Sequence, residues 1–185
     1  MAGHRFPAEG RKRLNDENRR KRQPAEGIIE RMAPSPNEVV ADLGAGIGYI
    51  SIPLASRVGK VFALDAQQDM LDEIMANAPF EVKGKIEAVK AELPKLPFEG
   101  SSLDRAILVN VAHEVEDKPL LVSELRRCLK KGGKLTIVDF PKKETSFGPP
   151  LHDRMSEEEM LAAFAPFKEV RRWSFPEFYQ LELER

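Results

Sequence analysis

The stretch Val39-Val40-Ala41-Asp42-Leu43-Gly44-Ala45-Gly46-Ile47-Gly48-Tyr49 decides how the rest of the chain is read. Val39–Leu43 is apolar and β-prone, apart from one acid near its end. That composition predicts a short buried strand. The glycines predict a tight turn, and Tyr49–Val58 reads as a helix closed by Gly59. Pro53 falls near the second turn of that helix, where its missing N–H interrupts the regular bonding. Glycines at a strand-to-helix turn let the backbone bend sharply and approach a ligand closely. In open α/β sheets, ligands bind at the carboxyl ends of the strands.

Outward from this turn the pattern alternates. Lys60–Leu64 reads as a second strand, and Asp69–Asn77 as an amphipathic helix with Met70, Leu71, Ile74 and Met75 on one stripe. Lys85–Lys90 and Leu103–Val109 read as further strands. A helix over Pro119–Lys131 places proline in its first turn and takes Gly132-Gly133 as its stop. Leu135–Phe140 is the next strand. Strands alternating with helices at this spacing imply right-handed crossovers and a parallel sheet covered on both faces. The ending differs: Ser156 to Glu159 forms a capping box ahead of a helix over Met160–Phe164. The runs Phe167–Phe175 and Phe178–Glu184 are separated only by Pro176-Glu177, so they must pair antiparallel. The reading is therefore an α/β, doubly wound, mostly parallel seven-stranded Rossmann-like sheet with an antiparallel C-terminal strand.

With 185 residues, one compact domain is expected. A division into an N-terminal helical segment, 1–36, that serves as a lid, and a body, 37–185, fits the change in texture. Residues Arg11 to Arg22 carry seven basic and two acidic side chains with almost no apolar face, while Ala25–Met32 has a helical stripe through Ile28, Ile29 and Met32 before Pro34 and Pro36. Lys+Arg of 29 against Asp+Glu of 30 leaves a net charge of −1, which argues against a uniformly basic nucleic-acid binder. The single cysteine, Cys128, excludes an intramolecular disulfide framework and any multi-thiolate metal site. It shares a helical face with Leu121, Leu125 and Leu129, so a packed thiol is expected. No run of about 18 apolar residues is present, no apolar signal segment follows Met1, and no metal is expected; a cytoplasmic setting follows as the expectation.

The glycine spacing Gly44-x-Gly46-x-Gly48 departs from the dinucleotide form G-x-G-x-x-G, and no G-x-x-x-x-G-K-[ST] is present. Asp42 at the mouth suits a ligand bearing positive charge and suits a pyrophosphate poorly, although Asp is also a common turn residue. Asp65 ends the second strand 21 residues after Gly44. There it either accepts hydrogen bonds from ribose hydroxyls or simply caps the strand. With these residues the chain resembles the class I S-adenosylmethionine-dependent methyltransferases. Asp42-Leu-Gly-Ala-Gly-Ile-Gly48 is similar to the family's first motif, and Phe62-Ala-Leu-Asp65 to its ribose-binding strand end. Ala91 to Phe98 is similar to the stretch before strand four, and Leu129 to Gly133 to the turn into strand five. The resemblance covers about residues 37 to 140. It implies S-adenosylmethionine as cofactor and S-adenosylhomocysteine as product. It also implies binding by Asp42, Gly44, Ala45, Gly46, Gly48, Asp65, Ala66, Glu92, Leu93 and Asn110. Within that set Glu92 would serve the adenine amino group and Leu93 the ring; Glu92 also reads as a solvated loop acid.

Asn110-Val111-Ala112-His113-Glu114 follows the fourth strand, at the carboxyl edge where the methyl group should point. Val111 and Ala112 replace the prolines of base-amine methyltransferases, and Cys128 lies in the wrong element for a cytosine-C5 nucleophile. The form is closer to the small-molecule branch, similar to enzymes of ubiquinone and menaquinone biosynthesis. His113, with an ordinary pKa near 6.5, is the first candidate for a general base and Glu114 the second; a packing role for His113 competes. The expected partner is a small-molecule methyl acceptor, acidic or phosphorylated if the basic N-terminal segment (His4, Arg5, Phe6 through Arg22) covers it. The loop Pro141–Pro150 is long enough to border the same pocket, and a monomer or homodimer is expected. Three other readings stand beside this one: RNA or protein methylation docked through the basic segment, a non-catalytic cofactor-binding protein, and a nicotinamide-dependent dehydrogenase.

Overall fold

The computed structural model describes residues 17–185. The expectations placed on His4, Arg5, Phe6 and the first part of the basic run lie outside the described residues. The elements in chain order are α1 (Glu17–Arg22), α2 (Ala25–Met32), β1 (Val39–Leu43), α3 (Ser51–Leu54), β2 (Lys60–Asp65), α4 (Gln68–Asn77), α5 (Phe80–Lys83) and β3 (Ile86–Lys90). They continue with β4 (Leu103–Val109), a 3₁₀ turn (Ala112–Glu114), α6 (Lys118–Cys128), β5 (Leu129–Asp139), a second 3₁₀ turn (Leu151–Asp153), α7 (Glu157–Ala163), β6 (Lys168–Ser174) and β7 (Tyr179–Glu184).

One seven-stranded sheet has the order β3-β2-β1-β4-β5-β7-β6. Pairing is parallel from β3 to β5, and β7 runs antiparallel to both β5 and β6. The order reverses between β1 and β4, so the crevice of the sheet opens above the carboxyl ends of those strands. Alternation along the strands sends neighbouring residues to opposite cores: Ala41 and Leu108 face α6 and α7, while Val40, Ile107 and Val109 face α2, α3 and α4. Each fully buried Leu, Ile or Phe contributes about 1.5–3 kcal/mol over its exposed state. Helix α1 buries none of its own residues, but Ile28, Ile29 and Met32 of α2 join the second core.

Two expectations need correction. The helix over Tyr49–Val58 is reduced to Ser51–Leu54 with turns on either side, because Pro53 cannot donate to the carbonyl of Tyr49 and breaks the ladder there. The helix that was to run to Lys131 ends at Cys128, and β5 begins at once with Leu129. Gly132 and Gly133 lie inside that strand, where its register against β4 shifts between Leu103 and Arg105. A Cβ on Gly133 would lie 2.8 Å from the carbonyl oxygen of Lys130. The glycines serve a bulge, not a helix stop. The capping box is present, with Ser156 and Glu159 bonded reciprocally, and the terminal hairpin pairs as expected.

A buried ionic chain ties the N-terminal end of β4 to β7 and α2. Arg105 pairs with Glu38 and Glu182, both at 2.9 Å. Glu182 also accepts from Thr136 and Gln180, and Gln180 accepts from Arg31 at 2.7 Å. Mutual satisfaction is what makes such charges tolerable in a core. Among the described residues, no helix is long and apolar enough to cross a membrane.

Candidate active site

The turn after β1 is held by its neighbour strand. The amides of Gly44 and Ala45 both donate to the carbonyl oxygen of Leu64, at 2.8 and 2.9 Å. Gly44, Gly46 and Gly48 have φ of 78°, 53° and 84°, all in the left-handed region. Asp65, half-buried at the end of β2, is fixed by two backbone amides: Gly46 N–H donates to Oδ2 and Gln67 N–H to Oδ1, each at 2.9 Å. Each carboxylate oxygen keeps a free lone pair for a hydroxyl. Ala66, also half-buried, follows it.

Asp42 lies beneath the turn rather than at its mouth. It is 2 % exposed, and its Oδ2 accepts from Ser51 Oγ at 2.6 Å, which pins the start of α3 to the end of β1. Burial pushes its pKa up to about 6 against the Ser51 hydrogen bond, with the Asp65 charge adding to the rise. A raised carboxyl pKa means this group favours the folded state most below the usual value of 3.8. That contribution is lost as pH climbs through about 6. Asp42→Asn should therefore gain on the order of 3 kcal/mol over the unliganded wild type near neutral pH, with the gain shrinking towards pH 4. Urea unfolding across that range checks it, and an unchanged pH slope in the variant contradicts it.

The other side of the crevice is the turn after β4. Asn110 adopts φ of 60°, and its amide donates to Val138 at 2.8 Å. Its side chain exchanges two hydrogen bonds with Gln23, at 2.8 and 3.0 Å. Gln23 is fully buried, and its carbonyl accepts from Tyr49 Oη at 2.8 Å, while the guanidinium of Arg19 lies 4.1 Å from the Tyr49 ring centre. The segment just after α1 is thus fastened to both walls of the crevice. Glu92 is exposed and Leu93 half-buried on the segment between β3 and β4, the latter packed against the core.

His113 comes from the 3₁₀ turn beside Asn110. Its Nδ1 is 2.7 Å from Asp139 Oδ1, and its backbone amide donates to Asp139 Oδ2 at 3.2 Å. The His113 and Asp139 side chains are 5 % and 1 % exposed, so the bond lies in a dry setting. Burial lowers the imidazole pKa, but the Asp139 hydrogen bond, with the charges of Asp139 and Glu114, outweighs it, and the net shift is upward. Glu114 stands 3.9 Å from His113 Nε2. Lys118, its pKa lowered by burial, donates to the carbonyl of Val115 at 2.7 Å.

Phe140 meets His113 edge to face at 6.0 Å, and Phe147 meets Phe140 in the same way at 5.3 Å. Arg154 gathers the loop that carries Phe147, donating to the carbonyls of Lys143 and Pro149 and to Thr145 at 2.6–2.8 Å. Cys128 is buried, and its Sγ faces the carbonyl of Phe98 at 3.6 Å; burial pushes its thiol pKa up, as suits a packed thiol. No cluster of metal-ligating side chains occurs among the described residues.

The sequence reading did not single out Gln23, Tyr49, Ser51, Asp139, Phe140 or Phe147. Asp139 carried a usable signal, an acid closing an apolar strand at the sheet's ligand edge. Gln23 carried none, since it follows a charged run. A glycine cradle, a half-buried Asp65 locked by backbone amides and Asn110 facing them fit the sugar and amino-acid ends of an S-adenosylmethionine molecule.

The family profile described as "Methyltransferase domain" matches residues 41–137, more than half of the chain. The 2-phytyl-1,4-naphtoquinone methyltransferase of Trichormus variabilis is 29% identical over 157 residues, covering 76% of this chain and 69% of that protein. The ubiquinone/menaquinone biosynthesis C-methyltransferase of Acidiphilium cryptum is 30% identical over 133 residues, covering 70% of this chain. The matched segment spans 53% of that relative's own length. A crystal structure of a SAM-dependent methyltransferase from Aquifex aeolicus superposes with a TM-score of 0.90 at 24% identity, covering 97% of this chain and 99% of the other. The glycine turn, the acid closing β2 and the strand order meet in one conclusion: the chain belongs to the class I S-adenosylmethionine-dependent methyltransferase family.

Proposed function

We propose that the chain methylates a small-molecule acceptor that loses a proton from oxygen or carbon. The observation that carries this reading is the His113–Asp139 pair, at 2.7 Å, at the carboxyl edge of β4 and β5. The bound cofactor supplies an electrophilic methyl group on sulfur. Gly44, Ala45, Gly46 and Gly48 let the backbone approach the cofactor, with Asp42 holding the turn from below. Asp65 with Ala66 receives the ribose, Glu92 and Leu93 the adenine, and Asn110 the amino-acid end. Asp139 accepts from Nδ1–H of His113, so Nε2 carries the lone pair that takes the acceptor's proton. Glu114 beside Nε2 steadies the imidazolium that results. Alignment in a dry site can supply up to about 7–11 kcal/mol of the barrier reduction.

The quinones in the names of both curated relatives support a small acceptor. The test uses methyl-labelled S-adenosylmethionine and a cell extract split by dialysis. Label is expected in a dialysable or solvent-extractable compound other than S-adenosylmethionine, with S-adenosylhomocysteine formed in equal amount. Label confined to RNA or protein would overturn the proposal.

A further inference from the structure

A series of contacts links the residues around the turn that carries His113. Asn110 and His113 share the turn leaving β4. From His113 the series runs through Phe140 at 6.0 Å and Phe147 at 5.3 Å to Arg22, whose guanidinium lies 5.4 Å from the Phe147 ring centre. Gln23, next along the chain, joins Asn110 through the amide pair at 2.8 and 3.0 Å. This series contains an imidazole, two aromatic rings and one cation.

That cation differs from several other arginines of the described residues. Arg105, Arg127 and Arg172 each pair with carboxylates, and Arg154 is taken up by loop carbonyls. Arg22 is half-buried and has no carboxylate partner within 4 Å among the described residues; its guanidinium lies over the face of Phe147. A guanidinium removed in part from water ordinarily recovers that loss through a carboxylate or phosphate, which its planar fork fits. The adjoining rings offer edges and faces to a flat partner at low entropic cost.

We propose that Arg22 determines acceptor specificity by holding the anionic substituent of an aromatic acceptor. The ring of that acceptor lies along Phe147, and its acidic hydroxyl or carbon faces His113. The proposal rests on the methyl-transfer reading and names the substrate class of the same site. It also assigns the basic segment a defined task, with one arginine reading one charge rather than a diffuse surface attracting polyanions.

The test is calorimetry on the full chain saturated with S-adenosylhomocysteine, titrated with matched probes: protocatechuate against catechol, and hydroxynaphthoate against naphthol. The carboxylate member of a pair is expected to bind about tenfold tighter or better, as hydrogen bonds to charged groups commonly give. Arg22→Gln should erase that preference while leaving the neutral probes and S-adenosylhomocysteine at wild-type affinity, and Arg22→Lys should retain part of it. Equal or absent binding by both members of every pair, or a preference that survives in Arg22→Gln, would overturn the proposal. Failure of the methyl-transfer reading shows separately, as a wild-type chain that forms no S-adenosylhomocysteine from S-adenosylmethionine in the labelled extract.

Discussion

Gly44→Ala is expected to cost about 2–5 kcal/mol of stability and to weaken S-adenosylhomocysteine binding by more than about tenfold. Two independent effects add. Position 44 has φ of 78°, where a side chain costs about 1–2 kcal/mol. The new methyl would also lie 2.6 Å from Cγ2 and 3.0 Å from Cγ1 of Val111. Valine is stiff at χ1, so it has no rotamer that escapes cheaply. The turn cannot swing away either, because the amides of residues 44 and 45 are both committed to the carbonyl of Leu64. Relief must come from the turn after β4, and Val111 is bonded in sequence to Asn110. The crevice is therefore disturbed on both walls by one carbon atom. The double variant Gly44→Ala/Val111→Ala removes the overlap and leaves the φ cost, so it should recover most of the binding and only part of the stability. Calorimetry and urea unfolding on the two variants check this, and wild-type affinity in Gly44→Ala would contradict it.

What was legible in the sequence was local. A buried strand, three glycines and an acid ending the next strand state their geometry in their own residue types, and the β1 turn and Asp65 lie where that reading placed them. The alternation of strands and helices likewise carries the parallel pairing and the hand of the crossovers. What stayed hidden depends on which residues the sheet brings together. His113 and Asp139 are 26 positions apart and meet only because β4 and β5 pair in parallel. Gln23 and Asn110 are 87 apart and meet because α2 anchors the N-terminal segment across the crevice. Gly132-Gly133 misled because a stop signal for a helix and a bulge in a strand use the same residue. Asp42 showed its presence but not its direction, since nothing local says that Ser51 turns back over it.

His113→Ala is expected to lower turnover by about 10²–10⁴-fold while leaving S-adenosylhomocysteine affinity unchanged, the range associated with losing a positioned base. The pH profile separates this role from packing. As a base His113 must be neutral, so turnover should rise with pH through a pKa above 6.5. Burial opposes the imidazolium, and the Asp139 hydrogen bond and charge, together with Glu114, outweigh that opposition. Asp139→Asn removes the Asp139 share while keeping a side chain of the same shape. The rising limb should then move to lower pH as the plateau falls, because the imidazole is no longer held in one tautomer or orientation. Stability should follow the same proton with a definite sign. A histidine pKa raised in the folded state contributes fully below 6.5 and is lost as pH rises through the folded value. The wild type should therefore lose stability against Asp139→Asn across that window. A merely structural histidine would let His113→Gln, which retains size and hydrogen bonding but cannot act as a base, turn over at the wild-type rate. A limb that stays in place in Asp139→Asn would likewise remove Asp139 from the mechanism.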